Sequence, residues 1–279
     1  MWPFSKKTPA PTSDPGNVHG PVLVAMEPWV RRHRRMAWKP VVTPGRGDVL
    51  SGFGGVPALG KGEPRPRCPV CARELSLFLQ LDGRTTPAES PWTGPQVMQL
   101  FYCRACEADH EGWAAFSKVH VARSVPAEKL TELGPASATD LRASTITGWE
   151  PIDDLPAAEE HEDLGIIYKY DFKAGRVAVS CPVIGVQLAD LDAHAADEQG
   201  RELAEAIASA APGDKLGGWP HWIQGVEYPA CPRCGTVMSL VFQLDSEDNV
   251  DHMFGDSGCG HITQCPNHPD VLAFAWACC

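Results

Sequence analysis

Eight side chains able to ligate a metal stand in four close pairs. Cys68-x-x-Cys71 is followed after 31 residues by Cys103-x-x-Cys106, and Cys231-x-x-Cys234 after 30 residues by Cys265-x-x-His268. Two donors separated by two residues leave one tight turn together, and two such hooks can close a tetrahedron around an ion. The first set offers four thiolates, the second three thiolates and an imidazole. Donors of that kind suit Zn2+, so two structural zinc sites are expected, with no position left open for water. A glycine after Cys234 permits a positive φ in the turn; Ala72 stands at that place in the first set. His110 is an alternative to Cys106, and Cys259, Cys278 or Cys279 to His268. The competing reading is a redox dithiol. That chemistry needs its first cysteine at a helix N-terminus, whereas a strand-like run follows each first hook.

Other motifs are weaker. Gly54-Gly55-Val56-Pro57 and Gly217-Gly218-Trp219-Pro220 lack the Lys-Ser/Thr of a phosphate loop and the third glycine of a dinucleotide fingerprint. They read as turns against which other backbone packs closely. Trp219, Pro220 and Trp222 suit either a core or the gripping of a protein partner. Gln80 and Gln243 interrupt apolar strands, so each amide must find partners, in the fold's own backbone or in a bound peptide. There is no Gly-x-Ser-x-Gly elbow, no His-Glu-x-x-His, and no spacing that nominates a carboxylate pair. No catalytic residue is assigned, and a non-enzymatic role is favoured over an enzyme with an unrecognised site.

The elements that must hold the hooks are short strands. Leu75–Leu81, Val97–Tyr102, Trp113–Val121, Ile166–Tyr170, Arg176–Cys181, Val237–Leu244 and Val271–Cys278 are aromatic or β-branched runs between turn residues. Ala196–Ala211 reads as a helix, with acids in its first turn and Pro212-Gly213 as its stop. The basic stretch from Trp29 to Trp38 reads as a solvated strand edge. Gly55, Cys68, Cys71, Gln80 and Asp82 align with Gly218, Cys231, Cys234, Gln243 and Asp245 at one constant offset, the mark of an internal repeat. The expected organisation is a flexible tail over 1–20, a first pseudo-repeat over 21–125, an acidic, proline-containing connector over 126–164, and a second pseudo-repeat over 165–279. The fold class is mainly β, an internally duplicated unit with two zinc-ribbon-like hook pairs.

Composition bounds the partners. Lys and Arg number 24 against 35 Asp and Glu, a net charge of −11. That field repels phosphate backbones and favours a basic protein client over nucleic acid. No apolar run approaches the ~18 residues of a membrane span, and the first residues lack the apolar stretch of a signal peptide. A cytoplasmic location is expected, where thiols stay reduced and bind metal rather than pair.

Longer runs carry a resemblance. Lys215-Leu216-Gly217-Gly218-Trp219-Pro220-His221-Trp222, Cys231-Pro232-Arg233-Cys234-Gly235, Phe254-Gly255-Asp256-Ser257-Gly258 and Cys265-Pro266-Asn267-His268-Pro269-Asp270 look like the YwqG-like bacterial family, domain of unknown function 1963. Phe53-Gly54-Gly55-Val56-Pro57 is similar to that family's N-terminal half. The order Gly-Gly-x-Pro, Cys-x-x-Cys-Gly, Leu-Gln-Leu also resembles the programmed cell death protein 2 family, whose members are implied to chaperone a basic ribosomal protein. The resemblance implies a duplicated β-rich fold and a protein-binding role, as chaperone, adaptor or immunity protein of a toxin system.

Overall fold

The structure is a computed structural model, described over residues 19–47, 50–106, 110–171, 173–192 and 210–279. The expected tail, apart from its last two residues, and most of the helix expected over 196–211 lie outside these residues. The elements in chain order are helix α1 (His19–His33) and strands β1 (Arg35–Pro44), β2 (Gly52–Phe53), β3 (Ala58–Leu59), β4 (Ser76–Asp82), β5 (Gln96–Tyr102), β6 (His120–Pro126), β7 (Glu132–Leu133), β8 (Ser144–Asp154), β9 (Ile167–Asp171), β10 (Arg176–Cys181), β11 (Val186–Asp192), β12 (Lys215–Gly217), β13 (Ser239–Asp245), β14 (Cys259–Gln264) and β15 (Leu272–Ala277). The protein is mainly β. It divides into two units, one built from 1–33 and 160–209, the other from 34–159 and 210–279.

In the smaller unit β9, β10 and β11 form an antiparallel sheet in the order β11-β10-β9. Met26 and Trp29 of α1 form a buried cluster with Ile166, Val179 and Cys181. Trp29 also donates its indole N–H to the Leu164 carbonyl at 3.0 Å. The basic run beginning at Trp29 is therefore not one strand edge. Arg31, Arg32 and His33 close the helix, where cations meet the negative end of its dipole, and Arg35 opens β1.

The larger unit carries both hook sets on one ten-stranded sheet, in the order β15-β14-β13-β12-β1-β8-β2-β4-β5-β6. Every neighbouring pair is antiparallel. The sheet curls until its outer strands meet: the His120 ring of β6 lies edge-on to Phe274 of β15, centroids 5.3 Å apart, and Trp276 of β15 donates its indole N–H to the Tyr102 hydroxyl of β5 at 2.7 Å. Bulges between Leu77 and Leu79, and between Leu240 and Phe242, fall at matched places in β4 and β13. Such an extra residue bends its strand and raises the local twist that curling requires. Phe53, Phe78, Leu79, Tyr102, Phe242, Phe254 and Phe274 fill the buried centre.

Two expectations change here. Residues 126–164, expected as a connector, supply β7 and most importantly β8, whose register against β1 runs from Asp154 opposite Arg35 to Ser144 opposite Pro44. Most of its positions are half-buried or exposed, and polar residues are spread along it, so the sequence held no continuous apolar run. The strand expected over Trp113–Val121 begins only at His120; the residues before it form turns.

Glutamines pin the two Gly-Gly-x-Pro loops. Gln80 accepts the Ala58 N–H at 3.0 Å and donates to the Leu50 carbonyl at 2.7 Å. At the matched places, Gln243 accepts the His221 N–H at 2.8 Å and donates to the Gly213 carbonyl at 2.8 Å. Opposite Gln80 on β5, Gln99 donates to the Ala58 carbonyl at 2.7 Å. Opposite Gln243 on β14 stands His261, hydrogen-bonded to the His221 backbone. Beneath the second loop the Lys215 ammonium meets the Asp154 carboxylate at 2.8 Å with both side chains fully buried. Asp154 also accepts the Trp219 N–H at 2.8 Å. A Cβ on Gly218, which has φ +75°, would collide with that carboxylate, so only glycine serves there.

Burial holds the His261 imidazole down to about 3, with Lys215 and His221 adding repulsion. Its folded value lies below the unfolded one, so between about pH 6.5 and 3 the unfolded chain takes up the proton first and stability falls as pH falls. For His261 the loss from pH 7 to pH 5 is about 2 kcal/mol. His261→Gln, which installs the residue used by the first half, is expected to remove that share of the acid sensitivity in urea unfolding at the two pH values.

Candidate metal centres

Each hook pair is delivered by one hairpin. The Cys68–Cys71 turn leads into β4, and Cys103 directly follows β5; the antiparallel register sets Ser76 opposite Tyr102, so the hooks emerge at the same end. In the second set Cys231–Cys234 leads into β13 and Cys265 follows β14, with Ser239 opposite Gln264. The turns themselves are alike. Cys68 donates its N–H to the Arg73 carbonyl at 2.8 Å and accepts the Ala72 N–H at 2.9 Å. Cys231 donates to the Thr236 carbonyl at 2.9 Å and accepts the Gly235 N–H at 2.8 Å. Both turns need a left-handed residue, Gly235 at φ 70° and Ala72 at φ 58°. Ala72 therefore adopts the glycine conformation despite its Cβ.

The donor atoms converge. Cys68, Cys71, Cys103 and Cys106 form one group, and Cys231, Cys234, Cys265 and His268 the other, with all ligand atoms of a group within 4.8 Å of one another. Cys71 and Cys103 sulfurs are 3.6 Å apart. Cys234 and Cys265 sulfurs are 3.7 Å apart, and His268 Nδ1 lies 3.7 Å from both Cys231 and Cys265. A tetrahedral ion with bonds of about 2.3 Å to sulfur sets its ligands about 3.8 Å apart, so each group fits one metal ion. Among the described residues no other such group forms. Of the alternative ligands, Cys259 is buried with its sulfur 3.7 Å from His261 Nε2, and Cys278 packs against the main core. All eleven cysteines are free.

Neighbours tune the thiols. The Arg73 backbone N–H, with smaller help from the other three thiols, brings Cys71 down to about 7. The Thr236 hydroxyl and backbone N–H, then the Asn267 amide, bring Cys234 down to about 6. Burial pushes Cys103, Cys106 and Cys265 up. Arg233 and Asp270 form an ion pair across the two hooks of the second group. Asn267, Thr236 and Asp270 were not singled out from the sequence; the signal available was Asn267 lying between two ligands.

The five residues expected to touch a partner are internal. Trp219, Pro220 and Trp222 are buried. The Arg35 guanidinium lies 3.3 Å over the Trp219 ring, and Trp222 packs on Tyr228 and His261. Gln80 and Gln243 are buried and bonded to backbone as described above. A cleft of about 800 Å3 opens elsewhere on this unit, between β1, the start of β8 and the β13–β14 turn, with Glu247, Asp248, Asp251, Arg104 and Arg142 on its walls.

A curled antiparallel sheet bearing two four-donor groups defines a β scaffold with two candidate metal sites. Residues 51–266 match the family described as Domain of unknown function (DUF1963), and the chain belongs to that family. It is also similar to the Uncharacterized protein YpfL of Salmonella typhimurium (strain LT2), 38% identical over 42 residues, 15% of this chain and 10% of that protein. The match thus covers about a tenth of that relative's length.

The two turns make opposite predictions. Gly235→Ala meets open space but a left-handed backbone, and is expected to cost about 1 kcal/mol. Ala72→Gly is expected to gain up to about that amount. Thermal unfolding of the metal-loaded protein checks both.

Proposed function

We propose that both groups hold Zn2+ and that the chain is a zinc-stabilised, non-enzymatic protein-binding module. The observation that carries this reading is closure: four protein donors surround each centre, which is the arrangement of structural rather than catalytic zinc. Thiolate-rich donors suit zinc, and free thiols suit a reducing compartment such as the cytoplasm. A structural zinc contributes on the order of 10–16 kcal/mol to folding, comparable to the whole stability of a domain. The purified full-length chain is expected to carry two zinc ions by mass spectrometry. Chelation is expected to unfold the hook ends, and Cys265→Ser to lose one ion. Metal-free protein with an unchanged circular dichroism spectrum defeats this reading.

For a client, the support is charge. The chain is acidic, and exposed Glu247, Asp248 and Asp251 rim the large cleft, a field that draws in lysine- or arginine-bearing segments. A chaperone or adaptor for a basic protein follows. Glu247→Lys with Asp251→Lys is expected to weaken capture of such proteins from native lysate and to flatten its salt dependence. Equal capture by the double variant places the client elsewhere.

No helix among the described residues is long and apolar enough to cross a membrane.

A further inference from the structure

One short segment packs against the clusters around both metal groups. Residues 110–119 lead into β6 and form a compact turn, with the Ala114 N–H donating to the Glu111 carbonyl at 2.9 Å and the Ser117 hydroxyl to the His110 carbonyl at 3.1 Å. At its far end Val119 packs among Cys68, Cys103 and Cys106, and its carbonyl accepts the Cys103 N–H at 2.9 Å. In its middle Ala115 packs against the cluster of Cys231, Met238, Cys265 and Val271. The Trp113 carbonyl accepts the Trp276 N–H of β15 at 3.0 Å, and the two indoles meet edge to face. The segment therefore lies across the seam where the sheet's outer strands come together, hydrogen-bonded to Cys103 of one group and packed against the clusters that hold ligands of both.

Resting on the reading that both groups bind zinc, we propose that residues 110–119 are a clasp that couples the two metal centres, so that filling either one raises the affinity of the other. The physical reason is shared ordering. An ion at the first group fixes Cys103 and, through the bond from its N–H to the Val119 carbonyl, that end of the segment. The docked segment then sets Ala115 against the cluster that contains Cys231 and Cys265. The conformational entropy lost in docking the segment is lost once, with whichever ion arrives first, and the second ion meets ligands already held. Coupling of this kind is reciprocal: each centre must strengthen the other by the same factor.

The test is Zn2+ affinity of the full-length chain, measured by competition with a chromophoric chelator. Cys265→Ser is expected to weaken zinc at the first group about tenfold, and Cys106→Ser to weaken the second group by the same factor. Trp113→Ala and Ala115→Asp keep all eight ligands. They are expected to leave two ions bound but to abolish the cooperativity, and in either background Cys265→Ser is expected to have no further effect on the first group. If a ligand variant fails to fold, wild type against Trp113→Ala decides alone, through the steepness of the binding curve. Identical, non-cooperative curves for these two proteins overturn the clasp. Failure of the wild type to bind two ions overturns instead the metal reading beneath it.

Discussion

Antiparallel register at two hairpins is the constraint on which the metal centres depend. A Cys-x-x-Cys turn presents two donors, but a centre needs four, and the second pair lies some thirty residues away. β4 starts just after one hook and β5 stops just before the other; β13 and β14 repeat the arrangement. A slip of one residue would turn every side chain of the strand to the opposite face and pull the hooks apart. β4 is buried along its whole length, with Ser76, Gln80 and Asp82 among its apolar residues, and β13 along most of its length with Gln243; a slip would separate these polar groups from their hydrogen-bond partners and put apolar side chains in their places.

The loops above these hairpins show how glutamines can be placed inside a β scaffold with their amides bonded to backbone. Gln80 and Gln243 each meet one backbone N–H and at least one carbonyl beside the loop they pin. The halves then diverge. Gly52 and Ser51 occupy the places that Lys215 and Asp214 take in the second half. Ser51 and Asp214 do the same work there, accepting the N–H of Asp82 and of Asp245. The Lys215–Asp154 pair has no equivalent at Gly52. A buried pair stabilises little in net terms, but losing one partner strands the other charge, so it ties β12, β8 and the Trp219 turn into one arrangement.

The sheet's order reads alike from either edge inward, with β1 and β8 side by side at the middle. That centre was the least visible part of the sequence. β8 is half-buried or exposed at most of its eleven residues and is broken by Gly148 and Pro151, so it offered neither an apolar run nor clean boundaries. β1 was hidden for a different reason: its basic residues continue those of α1, and a charge run carries no information about where helix ends and strand begins. The seam was equally silent, since Trp113 and Trp276 are joined only by closure of the sheet.

By itself the sequence determined the chemistry on offer: eight soft donors at hook spacing, glutamines inside apolar strands that had to be bonded, and mainly β local preferences. These are local or periodic properties, set by side-chain type and short separations. The tertiary structure alone decided which of several histidines and cysteines complete each group, that Trp219 and Trp222 face inward, and that residues 110–119 pack against the clusters around both groups. Those outcomes depend on contacts between residues far apart in the chain, which curling of the sheet creates and no short-range pattern encodes.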